Sequence, residues 1–330
     1  MNNCSNVTDC KQIVIFSEEN DASATDVMKY CKIADCNVRR INYDDKALKI
    51  YISQESVNIT TAFDAFDIDK NSVCWFRRAE IPSIYVKYQN ESSLQDSIEV
   101  FNFIEHKQAF NALKLWIKHN CRYSSDILAD KFNKVDVLLK ASETGIQVPE
   151  WIVTDNKKFA LDFVKKYEFV ACKSFSSFFF QYENSIYKNL TEKLQLTDIE
   201  LFENYFTSRF FQQYIDKKYE LRSFYFHGEF FTYAILSQNN AKTSIDFRNY
   251  DNDKPNRCVP FALCNDYCRK LTSLMQKLGL NTGSCDILVD KNDNYCFLEV
   301  NPAGQFGYGS FMCNENIEKF IANYLINMNL

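Results

Sequence analysis

The chain has 330 residues, 46% of them hydrophobic and 25% charged, which is enough for two or three packed units and excludes a disordered or fibrous protein. A net charge of −5 with no long basic stripe excludes a nucleic-acid backbone as the main partner, and no apolar run of about 18 residues is present to span a bilayer. The 13 cysteines lack paired spacing and the Met-Asn-Asn-Cys start lacks an export signal, so a cytoplasmic, reducing location is expected.

In chain order, Gln12 to Phe16 reads as an apolar strand leading into an amphipathic helix over Ala22 to Ala34. Strand-like segments follow at Asn37 to Asn42, Ala47 to Ser53 and Ser72 to Arg78, then a long helix over about Ser93 to Asn120. This first third is a small α/β unit without a dinucleotide glycine fingerprint. A boundary is expected near Cys121 to Ser125. Beyond it, Val135, Leu138 and Leu139 form a helical stripe closed by Gly145 and Pro149, so a helix over Lys134 to Thr144 presents Lys134 in its first turn. A strand at Phe169 to Ser174, an acidic helical segment at Leu196 to Phe206 and a strand at Phe210 to Ile215 follow. The last third reads as hairpins and one helix.

Two hairpins carry the chemistry. In Ser284 to Val300, a two-residue turn at Asn292-Asp293 puts Asp286 opposite Glu299, with Asn301 on the face of Glu299. Opposed carboxylates repel unless a cation lies between them, and hard oxygen ligands point to magnesium; a solvated outer face is the competing explanation. The nearby Gly304, Gly307 and Gly309, three of only 7 glycines, favour a ligand site. In the second hairpin a turn at His227-Gly228 puts Arg222 opposite Tyr233, and Glu220 shares the face of Arg222. Those two either pair on the surface or point together into a cleft. Asp246-Phe247-Arg248 supplies another fork for phosphate or carboxylate oxygens. With 3 histidines and no Walker-type loop, His triads, zinc sites and P-loop chemistry have little material.

Taken in order, Asn133-Lys134, Val170-Ala171-Cys172-Lys173, Gln212-Gln213-Tyr214-Ile215, Glu220-Leu221-Arg222, Asp246-Phe247-Arg248, Asp286 and Leu298-Glu299-Val300-Asn301-Pro302 resemble the ATP-grasp superfamily. Within it, the chain is similar to peptide-maturing ligases of the microviridin or graspetide type, including those of grasp-with-spasm systems. Val73-Cys74-Trp75-Phe76-Arg77-Arg78 and Phe297 to Gln305 carry that narrower likeness. The resemblance implies an α/β, ATP-grasp fold: a pre-ATP-grasp α/β domain over residues 1–122 and an ATP-grasp domain over 123–330, with a central lobe at about 150–213, a C-terminal lobe at about 214–330 and ATP held between the two.

By the same resemblance, Lys134 and Lys173 contact the α- and β-phosphates, Gln213, Tyr214 and Ile215 read adenine, and Glu220 holds ribose. Arg222 and Arg248 stabilise the transferring phosphoryl group and the acyl phosphate, while Asp286, Glu299 and Asn301 ligate Mg2+. The implied substrate is a precursor peptide, leader plus core, whose Asp or Glu side chains are joined to Thr or Ser hydroxyls, or to Lys amines, through an acyl phosphate. The leader is expected on the middle lobe, around Glu183 to Phe210. Related ligases often form homodimers. One departure is Ser174 to Phe180, glycine-free where the family usually carries a glycine-rich phosphate loop. A glutamate-adding or glutathione-synthetase-like ligase would share every ATP-site residue, and a non-catalytic peptide-binding module would share the shape.

Overall fold

The computed structural model describes residues 12–78, 94–125, 133–175, 179–182, 185–188, 190–249, 251 and 253–328. Its contacts divide the chain into two units, one of Met1–Asp130, Phe306–Ser310 and Asn316–Leu330, the other of Lys131–Gln305 and Phe311–Glu315.

The first unit contains β1 (Ile13–Ser17), α1 (Ala22–Ile33), β2 (Val38–Asn42), β3 (Lys49–Ile52), β4 (Val57–Thr60), β5 (Ala65–Ile68), β6 (Val73–Phe76), α2 (Leu94–Asn120) and β7 (Arg122–Ser124). Its main sheet has the order β2-β1-β6-β7 and every pair in it is parallel. The continuous apolar run of β1 is buried along its whole length, as a central parallel strand covered on both faces requires. β3, β4 and β5 form an antiparallel meander whose Val57, Ile59, Phe66 and Ile68 join Val14, Phe16, Phe110 and Leu113 in one core. Sequence patterning missed β4 and β5, which are four residues each and flanked by polar turns. Asp21 caps α1 by accepting from the Ala24 amide at 3.1 Å and meets buried Arg77 at 3.4 Å. The Arg77 guanidinium also lies over the Phe306 ring, 4.9 Å from its centroid.

The second unit contains α3 (Lys134–Glu143), β8 (Trp151–Asn156), α4 (Lys157–Val164), β9 (Val170–Lys173), β10 (Phe179–Tyr182), β11 (Ser185–Lys188), β12 (Glu192–Leu194), α5 (Leu196–Glu200), β13 (Tyr205–Gln213), β14 (Lys217–Phe226), β15 (Glu229–Leu236), β16 (Arg257–Pro260), α6 (Asn265–Leu278), β17 (Thr282–Asp290) and β18 (Tyr295–Asn301). After it, α7 (Gly307–Met312) leads to α8 (Ile317–Asn327), which packs on α1 in the first unit. Two sheets organise the second unit, one ordered β12-β9-β13-β8 and one ordered β16-β15-β14-β17-β18. Phe210 belongs to a core with α3, α6 and the larger sheet, while Phe211 belongs to a core with α4 and α5, so β13 is apolar on both faces near its end. That pairing overrides the helical reading of Leu196 to Phe206: α5 ends at Glu200, and Tyr205 onward joins the sheet.

Among the described residues no helix is long and apolar enough to cross a membrane. Residues 176–178 of the glycine-free stretch lie outside the described residues, as do 183, 184 and 189 of the expected leader-docking segment.

Candidate functional site

Four residues on adjacent strands form one row across the larger sheet. Tyr233 on β15 pairs with Arg222 on β14, Arg222 with Asp286 on β17, and Asp286 with Glu299 on β18. Directly opposed residues share a face, so the row places a guanidinium between the tyrosine and two carboxylates.

The expected register of Asp286 and Glu299 is met by a different route. The pairs Ile287↔Phe297 and Val289↔Tyr295 continue to Asp290, whose amide donates to the Asn294 carbonyl at 3.1 Å and so closes a three-residue loop, not the two-residue turn expected at Asn292-Asp293; within it Asp293 adopts φ 63. A bulge between Asp286 and Ile287 then inserts Leu298 as an extra residue and restores Asp286 opposite Glu299. Bulges re-aim side chains, and here both Leu298 and Glu299 line the same cleft.

Around this pair the structure gathers cations. Arg222 Nη1 donates to both oxygens of Asp286, at 2.8 and 3.1 Å. Glu299 lies 3.6 Å from Lys134 Nζ and 4.0 Å from Arg248 Nη1. Burial pushes the Glu299 carboxyl up, but Lys173, Lys134, Arg248 and Arg222 outweigh it and hold the group below its ordinary range. Asp286 moves the other way, raised by burial and by the Glu299 charge against the pull of Arg222. Lys173 is lowered by desolvation although Glu299 faces it.

Lys134 is presented because α3 starts where it does. Asn133 caps the helix by accepting from the Val135 amide at 2.8 Å, and Gly145, at φ 75, ends it in a conformation that suits glycine. Lys134 Nζ also donates to the Ser174 carbonyl at 3.2 Å.

The cleft lies between the two sheets of this unit and is open to solvent. Lys173, Gln213, Tyr214, Ile215, Glu220, Arg248, Asp286 and Glu299 of the expected site line it; Lys134 and Arg222 stand behind the lining, in contact with Glu299 and Asp286. Glu220 and Arg222 do not pair with each other: buried Glu220 accepts from Lys217 Nζ at 2.8 Å and Ser237 Oγ at 3.0 Å. Asn301 is off the lining, and its Oδ1 accepts from the Ala303 amide at 3.1 Å in a turn closed by Gly304. That turn packs tightly, since a Cβ on Gly304 would sit 2.8 Å from the Phe224 ring. Among the described residues no group of three or more His, Cys, Asp or Glu is placed to hold a metal. Magnesium needs only one or two carboxylates when phosphates and water complete its shell, and the Asp286–Glu299 pair meets that requirement.

One lining residue was not singled out from the sequence. Gln212 pairs with Ala171, whereas Gln213 pairs with Val170, so Gln212 shares the face of Ala171 and Lys173 while Gln213 shares the face that packs on α4 and α5. Gln212 is 2% exposed, and its Nε2 has no hydrogen-bond partner although it lines the cleft. A buried donor left unpaired costs about 1–3 kcal/mol, which a ligand acceptor would recover. Strand alternation alone separates the two glutamines, once the pairing of β13 with β9 is known.

No family model matches the sequence. No curated protein matches it either. Solved structures do match over nearly the whole chain. A RiPP-associated ATP-grasp ligase from Chryseobacterium gregarium, solved with ADP and a leader and core peptide, superposes with a TM-score of 0.79 at 22% identity, covering 96% of this chain and 97% of that one. The chain has the ATP-grasp fold. The macrocyclase MdnC from Microcystis aeruginosa, bound to its precursor peptide MdnA, gives a TM-score of 0.77 at 22% identity over 96% of this chain and 99% of its own. The ATP-grasp ligase PsnB, complexed with minimal precursor, Mg and ADP, gives 0.72 at 14% identity, with 96% and 97% covered. Within the ATP-grasp fold, the cleft between the sheets is the feature that gathers the charged residues of this chain.

Proposed function

We propose that this chain is an ATP-dependent carboxylate ligase that activates Asp or Glu side chains of a ribosomally made precursor peptide and joins them to Thr or Ser hydroxyls, or Lys amines. The observation that carries the proposal is the cleft itself: opposed Asp286 and Glu299, four basic side chains around them, and an unpaired Gln212 amide on the same lining. A magnesium nucleotide suits that set of groups, with anionic phosphates among the cations and a hydrogen-bonding base at the amide. The ligands of the three similar structures, ADP, Mg and precursor peptides, support the same assignment.

In this assignment the sheet β12-β9-β13-β8 is the central lobe, about 150–213, and the larger sheet is the C-terminal lobe from about 214; together with α3 they form the nucleotide-binding part of 123–330, and the parallel sheet belongs to the pre-ATP-grasp domain, 1–122, except that its last strand, β7, runs on to Ser124 and α8 packs with that first unit. Lys134 and Lys173 hold the α- and β-phosphates, and Glu220, oriented by Lys217 and Ser237, takes the ribose. Gln212 joins Gln213, Tyr214 and Ile215 in reading the base. The main-chain amides of Gln213 and Tyr214 are spent on Glu150 and Phe169, at 2.8 and 3.3 Å, so of these three main-chain donors the Ile215 amide is the one assigned to the base. Asp286 and Glu299 are the magnesium ligands, with Asn301 beside them. A bound Mg2+ would be held by Asp286 and Glu299 and would supply positive charge to offset that developing on the phosphates. Arg222 and Arg248 stabilise the phosphoryl group in transfer and the acyl phosphate, and no side-chain nucleophile is needed. Attack by the acceptor hydroxyl or amine expels phosphate and leaves an ester or amide.

The test is incubation with MgATP and any short Asp/Thr-rich peptide found encoded beside this chain's gene; the absence of such a reading frame would favour the small-molecule ligase. The expected result is loss of one water mass per bond formed and one ADP per water lost. ADP formed with glutamate or another small acceptor, and no change in the peptide, would favour the small-molecule ligase instead.

A further inference from the structure

Asp246 sits on the loop that joins β15 to β16 and makes more polar contacts than any role given it so far requires. It is buried, and its carboxylate takes three hydrogen bonds from Arg248: from the main-chain amide at 3.0 Å, from Nε at 2.9 Å and from Nη2 at 2.6 Å. One whole edge of the guanidinium is thereby occupied, and Nη1 is turned toward Glu299, 4.0 Å from its Oε1. A fourth bond comes from the opposite wall of the cleft, where the Thr191 amide donates to Asp246 Oδ2 at 3.3 Å. Thr191 immediately precedes β12, and both it and Asp246 line the cleft.

The loop around Asp246 is a firm support. Lys217 Nζ donates to the Ile245 carbonyl at 3.0 Å, Gln238 Nε2 to the Ser244 carbonyl at 2.9 Å and Asn249 Nδ2 to the Lys242 carbonyl at 3.0 Å. Its ends are clamped by the β15–β16 pairing, Leu236↔Arg257. A planar fork held along one edge by a carboxylate loses little further freedom when its other edge meets an anion.

We propose that Asp246 is a positioning residue: it fixes Arg248 with its outer edge toward Glu299 and, through the Thr191 amide, ties the loop to the opposite wall, so that Arg248 is already in place for a γ-phosphate. This rests on the nucleotide assignment above. Arg248 itself would touch the phosphoryl group; Asp246 acts through it.

The test compares MgAMPPNP, which carries a γ-phosphate, with MgADP, which does not, by calorimetric titration of the full chain; neither needs the peptide. Asp246→Asn keeps the size but offers an amide to the guanidinium. It is expected to weaken MgAMPPNP about 10-fold and MgADP less than about 2-fold, the scale of one charge-assisted contact. Arg248→Lys, which leaves Asp246 in place but cannot fill its fork, is expected to show the same split and decides the matter if Asp246→Asn does not fold. The double variant should bind MgAMPPNP no worse than the weaker single variant. Equal weakening of both nucleotides, or losses that multiply in the double variant, would overturn the proposal. If the parent bound neither nucleotide, the nucleotide assignment would itself be wrong, and this proposal with it.

Discussion

Arg222 and Asp286 face each other on β14 and β17, 8% and 14% exposed, with the guanidinium bound to both carboxylate oxygens and the charge of Glu299 one strand away. Removing the arginine leaves buried Asp286 without its paired guanidinium and facing the charge of Glu299. Arg222→Met is therefore expected to cost about 3–5 kcal/mol of unfolding free energy in chelator, the usual scale for breaking a buried pair. Millimolar Mg2+ should return part of that loss in the variant and change the parent little. Urea unfolding with and without Mg2+ measures this; a magnesium-independent loss would count against a cation position between the acids.

Glu299→Gln and Asp286→Asn each remove one proposed metal ligand while keeping shape. Turnover is expected to fall by at least ~100-fold in either, comparable to removing a major electrostatic contact to a transition state. ADP release under saturating MgATP is the readout, and near-normal release from either variant would refute the metal assignment.

Gln212 yields a prediction with two opposite signs. Gln212→Leu removes a buried, unpaired donor, so the nucleotide-free protein should gain about 1 kcal/mol of stability. The same change should weaken MgADP about 10-fold, through loss of one contact to the base. Thermal unfolding and calorimetry on the same preparation test both halves. A variant that is less stable and binds normally would remove Gln212 from the site.

The Asp246–Arg248 pair predicts an acid-side loss of stability. Burial alone would raise the Asp246 carboxyl, but its hydrogen bonds to Arg248 and the Arg248 charge outweigh burial and hold it well below its ordinary value of 3.8. A carboxyl with a folded pKa below its unfolded one contributes stability that is fully present above the unfolded value and lost as pH falls toward the folded one. The stability advantage of the parent over Asp246→Asn should therefore be constant above about pH 5 and shrink by ~1–2 kcal/mol as pH falls below about 4. Denaturant unfolding at a series of pH values reads the difference directly, and a difference flat across that range would contradict it.

Which parts of this were legible in the sequence follows from how local each signal was. α3 was readable within a residue, because Asn133, the apolar stripe and Gly145 all lie in one stretch of chain. Arg222 opposite Tyr233 followed from a tight turn at His227-Gly228, where both residues adopt positive φ. Asp286 opposite Glu299 was also anticipated, but by two compensating differences: the turn is one residue longer than expected, and the bulge at Leu298 absorbs it. Bulges depend on packing against the rest of the sheet, so the local pattern carries no mark of this one. The partners of Glu220 and Arg222 were not legible either, since Ser237 and Asp286 reach them only through the order β15-β14-β17. Gln212 was hidden for the same reason: both neighbouring glutamines line the cleft, but that Gln212 lies on the face of Ala171 and Lys173 is decided by the strand beside it.

Every role assigned to these residues requires the cleft between the two sheets to hold a magnesium nucleotide. Calorimetric titration of ADP into the parent chain, with Mg2+ and then with chelator, tests this most directly. Binding at one site per chain that needs Mg2+, and that Lys173→Ala or Glu299→Gln weakens by at least ~10-fold, is the predicted result. Absence of binding, or binding indifferent to Mg2+ and to both substitutions, would contradict it.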